Sequence, residues 1–164
     1  MPKSQIIVIN TSPLIALVAA LGSLEVLSIL YEEVIVPFAV CEEILKSERK
    51  VFAQSEFQRA IGLNKQNHPV QIAPFLLNSL DLGEASVIQV ALNQNIRTVC
   101  IDETVGRRVA RLNGLSVTGS IGILLKYKQQ EPSLSIQKAI QNMINHNIYL
   151  SQNVIDFALK QAGE

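Results

Sequence analysis

Two short apolar runs in the chain each give way abruptly to polar side chains that can bind a hard cation. Ile6-Ile7-Val8-Ile9 runs into Asn10-Thr11-Ser12, and Val99-Cys100-Ile101 runs into Asp102-Glu103. In an open parallel sheet, ligands sit outside the carboxyl ends of the strands, so residues that directly follow such runs are placed for chemistry. Two more carboxylates, Glu43 and Glu84, fall early in helix-like segments from which they can converge on the same edge. Oxygens gathered in this way suit Mg²⁺ or Mn²⁺. Mg²⁺ takes one or two carboxylates directly and keeps several waters, which leaves other acids to orient the bound water. Asp102, Glu84 and Glu43 lead the set, with Glu103 beside Asp102 as a further ligand. Crowded carboxylates repel, so the cluster without its cation should push at least one pKa upward.

The elements that must position these residues alternate in type. Residues 5–9 read as a buried strand, after which Thr11 or Ser12 caps a helix with Pro13 at its first position and Gly22 at its end. A short helix over 23–30 precedes a strand over 34–36, and Pro37 opens a helical pattern that runs to about residue 60. Val40, Ile44 and Leu45 share its apolar face, and Glu43 lies one residue off that stripe. Residues 62–74, with Gly62, Asn64, Asn67, His68 and Pro69, read as a surface loop. A helix over 84–92, a strand over 98–101, a helix over 103–112 stopped by Asn113-Gly114, and a strand over 115–117 follow. Helical patterns over 119–129, 134–145 and 153–161 come last. This alternation predicts a three-layer α/β/α fold with right-handed crossovers and a short parallel sheet of four or five strands. It also predicts one domain over 1–164, with the C-terminal helices, about 133–164, packed on it.

Composition narrows the class. A chain of 164 residues suits one core, and its 17% charged residues fall below the roughly 25% of average globular usage, which leaves apolar surface for a partner. Fourteen basic and fourteen acidic residues balance, so the broad basic field of a protein that holds nucleic acid by charge alone is excluded. Cys41 and Cys100 lie in apolar segments without C-x-x-C spacing or a His cluster, which excludes a zinc site and reads as buried free thiols in a reducing compartment. Lys3 and the apolar residues after it are signal-like, but Asn10-Thr11-Ser12-Pro13 breaks the run, and no stretch reaches the roughly 18 apolar residues of a membrane span. The expectation is a soluble, cytoplasmic protein with no membrane association.

Four ordered segments carry a resemblance. Val8-Ile9-Asn10-Thr11-Ser12-Pro13-Leu14-Ile15, Val36-Pro37-Phe38-Ala39-Val40-Cys41-Glu42-Glu43-Ile44, Leu82-Gly83-Glu84-Ala85 and Ile101-Asp102-Glu103 are similar in order and spacing to the motifs of PIN-domain ribonucleases. Gly119-Ser120-Ile121-Gly122 and the segments Ile148-Tyr149-Leu150-Ser151 and Ala162-Gly163-Glu164 resemble a PIN branch related to VapC-type toxins. The resemblance implies a Mg²⁺- or Mn²⁺-dependent endoribonuclease, the toxin half of a toxin-antitoxin pair, with Asn10, Glu43, Glu84 and Asp102 as catalytic positions. The chain departs from it at Asn10, where PIN nucleases usually carry Asp. An amide oxygen ligates a hard cation but brings no charge. A second reading therefore stays open, a catalytically weakened PIN-like module that binds RNA or a protein partner.

Each residue also has a purely structural reading. Asn10 suits a turn bonded to nearby amides, Glu43 a solvated helix position, Glu84 a helix N-terminus favoured by the macrodipole, and Asp102 an N-cap for the helix that follows it. On that helix Val105, Val109 and Leu112 read as the apolar face, while Arg107, Arg108 and Arg111 are placed to hold RNA phosphates, or a partner's carboxylates, or simply water. The hydroxyls of Thr11 and Ser12 can donate to a phosphate or cap a helix. His68 and His146 lack metal-ligand spacing. A phosphoacceptor receiver is excluded because it needs adjacent acids after the first strand, where Asn10-Thr11 stands, and a nucleotide triphosphatase because the phosphate-cradling loop is missing. Apolar composition and a helical C-terminal region lead us to expect a homodimer, with an apolar groove for an amphipathic helix of an antitoxin.

Overall fold

A run that is β-branched on both faces leaves neither face suited to water, so it belongs in the middle of a covered parallel sheet. In the computed structural model, which describes residues 5–48 and 50–164, that run is β1 (Ile6–Ile9), with Ile7, Val8 and Ile9 fully buried. Lys3 lies outside the described residues. β1 pairs in parallel with β2 (Glu33–Val36) on one side and β4 (Thr98–Cys100) on the other. β3 (Leu63–Lys65) extends the sheet beyond β2, and β5 (Ser116–Thr118) extends it beyond β4. The order is β3-β2-β1-β4-β5, all parallel, as expected for the α/β class.

That order places the site. The chain builds β2 and β3 to one side of β1, then crosses the sheet to build β4 and β5 on the other side. Connections leaving β1 and β4 diverge at this switch point, and a crevice opens at their carboxyl ends. Asn10 follows β1 and Asp102 follows Ile101 at the end of β4. Asn10 N–H donates to Cys100 O (3.0 Å) and Ile101 N–H to Thr118 O (3.0 Å), which fixes the relative height of these strand ends.

Helices cover the sheet. α1 (Thr11–Leu21) packs against α3 (Phe38–Lys46), α4 (Val51–Arg59), α7 (Ser120–Gln130) and α8 (Ile136–Asn145). α2 (Glu25–Leu30) leads into β2, and α5 (Leu82–Asn93) lies on β1 and β4 and touches α3 and α6 (Thr104–Leu112). α9 (Gln152–Ala162) packs on α7 and α8. Cys100 is buried and Cys41 only half-buried, and both are free thiols. Among the described residues no helix is long and apolar enough to cross a membrane.

Four details differ from the sequence reading. The cap of α1 is Asn10, not Thr11 or Ser12, because the helix begins at Thr11, two residues before Pro13. The helical pattern from Pro37 breaks after Lys46, giving α3 and α4 as separate rods. The segment 62–74 is not all loop: Leu63–Lys65 forms β3, since main-chain pairing with the free edge of β2 outweighs its turn-rich composition. On α6 the buried positions are Gly106 and Ala110, whereas Val105 is 41% and Leu112 79% exposed. The small residues face inward because α6 lies close over the side chain of Glu84, and bulky ones would hold it away.

The C-terminal helices are fastened by one carboxylate. Glu164 accepts from Lys128 Nζ (2.7 Å), from Ile136 N–H (2.7 Å) and Gln137 N–H (3.1 Å) at the start of α8, and from Ser135 Oγ (3.2 Å). These donors, led by the Lys128 ammonium, hold its pKa down at about 2. Its contribution to stability is therefore complete above the ordinary value of 4.5 and lost as pH falls toward 2. Glu164→Gln should lower unfolding stability by about 1 kcal/mol at pH 7, as loss of a charged cap does. Denaturant titrations should show that difference closing as the pH approaches 2.

Candidate metal centre

The start of α1 presents three consecutive side chains to the strand ends. Asn10 has the extended backbone of an N-cap (φ −87°, ψ 173°), yet among the described residues its side chain caps nothing and its buried Oδ1 has no hydrogen-bond partner. The turn-residue reading of Asn10 therefore does not hold. An unpaired buried acceptor costs roughly 1–3 kcal/mol, so this oxygen is held at a free-energy cost. Thr11 Oγ1 donates to Glu43 Oε2 (3.0 Å), and Ser12 Oγ donates to Glu103 Oε1 (2.8 Å). Hydroxyls expected to meet a phosphate instead fasten two carboxylates, one on α3 and one at the mouth of α6.

Gly83 leaves space where oxygens meet. A Cβ there would stand 2.8 Å from Glu43 Oε2, 3.2 Å from Asn10 Oδ1 and 3.4 Å from Asp81 Oδ1. Asp81 is a site residue that the sequence reading missed. It caps α5, accepting Glu84 N–H at 2.8 Å. Its signal was present in the spacing Asp81-x-x-Glu84, an N-terminal capping pattern just before an apolar run. Glu84 turns inward and is 7% exposed, with Oε2 in the space left by the missing Cβ of Gly106.

Asp102 is held by different partners. Its Oδ1 accepts Ser120 N–H (2.7 Å) and its Oδ2 accepts Ser120 Oγ (2.9 Å), so it serves the start of α7 and not its own helix α6, whose N-cap position is Glu103. Each oxygen keeps a second lone pair. Gly119 allows this approach, since a Cβ there would lie 2.7 Å from both Asp102 Oδ1 and Arg107 Nη1. Arg107 is half-buried and donates to Ile101 O (2.9 Å), so it buttresses the end of β4 and does not join an open stripe with Arg111. Arg108 is exposed on α6, with no hydrogen bond or ion pair among the described residues.

The charges of Asp81 and Glu103 reach Glu43 and Glu84, and that of Glu103 reaches Asp102, so these five carboxylates are electrostatic neighbours. None of Glu43, Asp81, Glu84, Asp102 and Glu103 is in an ion pair among the described residues. Burial pushes the Glu84 carboxyl up to about 7, helped by its hydrogen bond with Asp81 and by the charges of Asp81 and Glu103. Partial burial also raises Glu43, against the Thr11 hydroxyl and with the charges of Asp81 and Glu103, although the residue stays largely open to water. Burial raises Asp102 too, opposed by both Ser120 donors and the Arg107 guanidinium. Among the described residues no three His, Cys, Asp or Glu side chains stand close enough to enclose a metal ion alone. The arrangement fits a hydrated cation instead: an amide oxygen lacking a donor, beside carboxylates of which Mg²⁺ takes only one or two.

A family model described as a PIN domain matches residues 6–164, and the chain belongs to the PIN-domain family, whose members are in general divalent-metal-dependent nucleases. No curated protein and no solved structure matches the chain.

Folding raises the Glu84 pKa from 4.5 to about 7, so the native protein holds a proton that the unfolded chain releases. The Glu84 contribution to stability should be fully present below pH 4.5 and be lost as pH rises through 7, by up to about 3 kcal/mol. Glu84→Gln should flatten that slope and raise the melting temperature at pH 7.5, as read by thermal denaturation across pH.

Proposed function

We propose that the protein is a Mg²⁺- or Mn²⁺-dependent endoribonuclease. The observation that carries this reading is the convergence of Asn10 Oδ1, Glu43 Oε2 and Asp81 Oδ1 on the space kept open by Gly83. Asn10, Glu43 and Glu84 would hold the cation on one side, with Asp102 and Glu103 on the other and Asp81 orienting Glu84. When bound, the cation would supply Lewis-acid charge to a phosphoryl oxygen and lower the pKa of a water. The chain's own residues do the rest. Thr11 and Ser12 fix two acids by hydrogen bonds, which limits their collapse onto each other or away into solvent. The Ser120 donors and the Arg107 guanidinium oppose the rise that burial imposes on the Asp102 pKa. Arg108, free on the surface of α6, meets RNA phosphate.

A second reading has two specific observations behind it. Asn10 brings no charge, and Asp102 already serves two donors, which favours a module that binds RNA while cutting it slowly. The toxin role rests on the resemblance to the VapC-related branch, and an antitoxin and a homodimer are proposed with it. Exposed Phe75, Leu77 and Leu82 supply apolar surface for the dimer, and sedimentation as a monomer would remove it.

Cleavage of single-stranded RNA should need Mn²⁺ or Mg²⁺, stop with chelator, and fall at least about 100-fold in Asp102→Ala. Gly83→Ala should leave the melting temperature within a few degrees but weaken Mn²⁺ binding by about tenfold or more, because its methyl group fills the point of convergence. Asn10→Asp should tighten Mn²⁺ by about tenfold. If it also turns a slow enzyme into a fast one, the weakened-module reading describes the natural chain. Chelator-insensitive cleavage would refute the metal-dependent reading altogether.

A further inference from the structure

Oxygens from three elements stand within 3.4 Å of one point, the place that a Cβ on Gly83 would take. Glu43 Oε2 comes from α3, Asn10 Oδ1 from the end of β1 and Asp81 Oδ1 from the cap of α5. The Asn10 oxygen is buried, has no hydrogen-bond partner among the described residues and carries no charge. It offers a cation a dipole alone. Asp81, its neighbour around that point, is exposed and forms no ion pair among the described residues.

Capping does not account for a carboxylate at position 81. The cap of α5 needs an oxygen to accept Glu84 N–H (2.8 Å), and an Asn side chain caps a helix about as well as Asp does. What Asn would remove is the negative charge, which bears on both Glu43 and Glu84 and raises the pKa of each. The helix end favours that charge and the two neighbouring carboxylates oppose it. A divalent ion among them would turn the repulsion into attraction.

We propose that Asp81 supplies the charge that Asn10 does not bring, so that its carboxylate belongs to the cation site beside Asn10 Oδ1 and Glu43 Oε2, beyond its service to Glu84. This deepens the metal-dependent reading above and rests on it. Contact through a bound water suffices, since Mg²⁺ keeps several of its waters.

Mn²⁺ binding in the absence of RNA, read from the electron paramagnetic resonance of the free ion, tests the assignment. Asp81→Asn keeps the cap and removes the charge, so its melting temperature in chelator should stay within a few degrees of wild type while Mn²⁺ binds about tenfold more weakly. Added Mn²⁺ should also raise its melting temperature less than that of wild type. Returning a charge to the site with Asn10→Asp in the same chain should restore affinity to within about threefold of wild type. The proposal is overturned if Asp81→Asn binds Mn²⁺ as tightly as wild type or more tightly, the latter meaning that Asp81 only hinders ionisation of Glu84. It is equally overturned if the double variant stays as weak as Asp81→Asn. A wild-type protein that binds no Mn²⁺ ends this proposal together with the metal-dependent reading. Binding that follows the charge in this way, without cleavage of RNA, supports the role of Asp81 and removes the nuclease reading alone.

Discussion

Like-charged carboxylates held near one another in a partly dry crevice are the constraint on which the rest of this structure turns. Without countercharge, each raises the cost of ionising its neighbours, and burial adds to that cost. Glu84 shows the result most clearly, a carboxyl whose pKa burial and its acidic neighbours lift to about 7. Such an arrangement lowers stability, and it persists because the switch point of the sheet brings the ends of β1 and β4 side by side.

Three kinds of device keep the cluster in place. Hydroxyls at the start of α1 fasten Glu43 and Glu103 from a single turn of chain. Glycines at 83, 106 and 119 remove the methyl groups that would displace Glu43, Glu84 and Asp102. Backbone donors complete the set, with the Glu84 amide on Asp81 and the Ser120 amide on Asp102. Side chains, small residues and helix ends therefore act together, and α1 is central because it touches both the acids and the helices that carry the rest of the fold.

Asn10 gives the cluster its character. With Asp there, a further negative charge would enter a space already short of positive charge. With Asn, a neutral oxygen occupies the same place and is left without a donor. The edge therefore carries one negative charge fewer than Asp would give it, in a family whose members are in general divalent-metal dependent.

The sequence by itself determined the alternation of strands and helices, the parallel sheet, and the placing of Asn10 and Asp102 at strand ends, because β-branched runs and helix punctuation are local signals. It also marked Glu43 and Glu84 as neighbours of that edge. Only the tertiary structure decided who touches whom. Strand β3 depended on a free edge supplied by β2, the inward face of α6 on the bulk of Glu84, and the partner of Asp102 on where α7 happened to begin. The part played by Asp81 in the site also emerged only there, because a helix cap is a local feature while its distance from Glu43 and Asn10 is set by the packing of α5 against α3 and β1. Long-range side-chain contacts arise from how elements pack, and no pattern within one element encodes that packing.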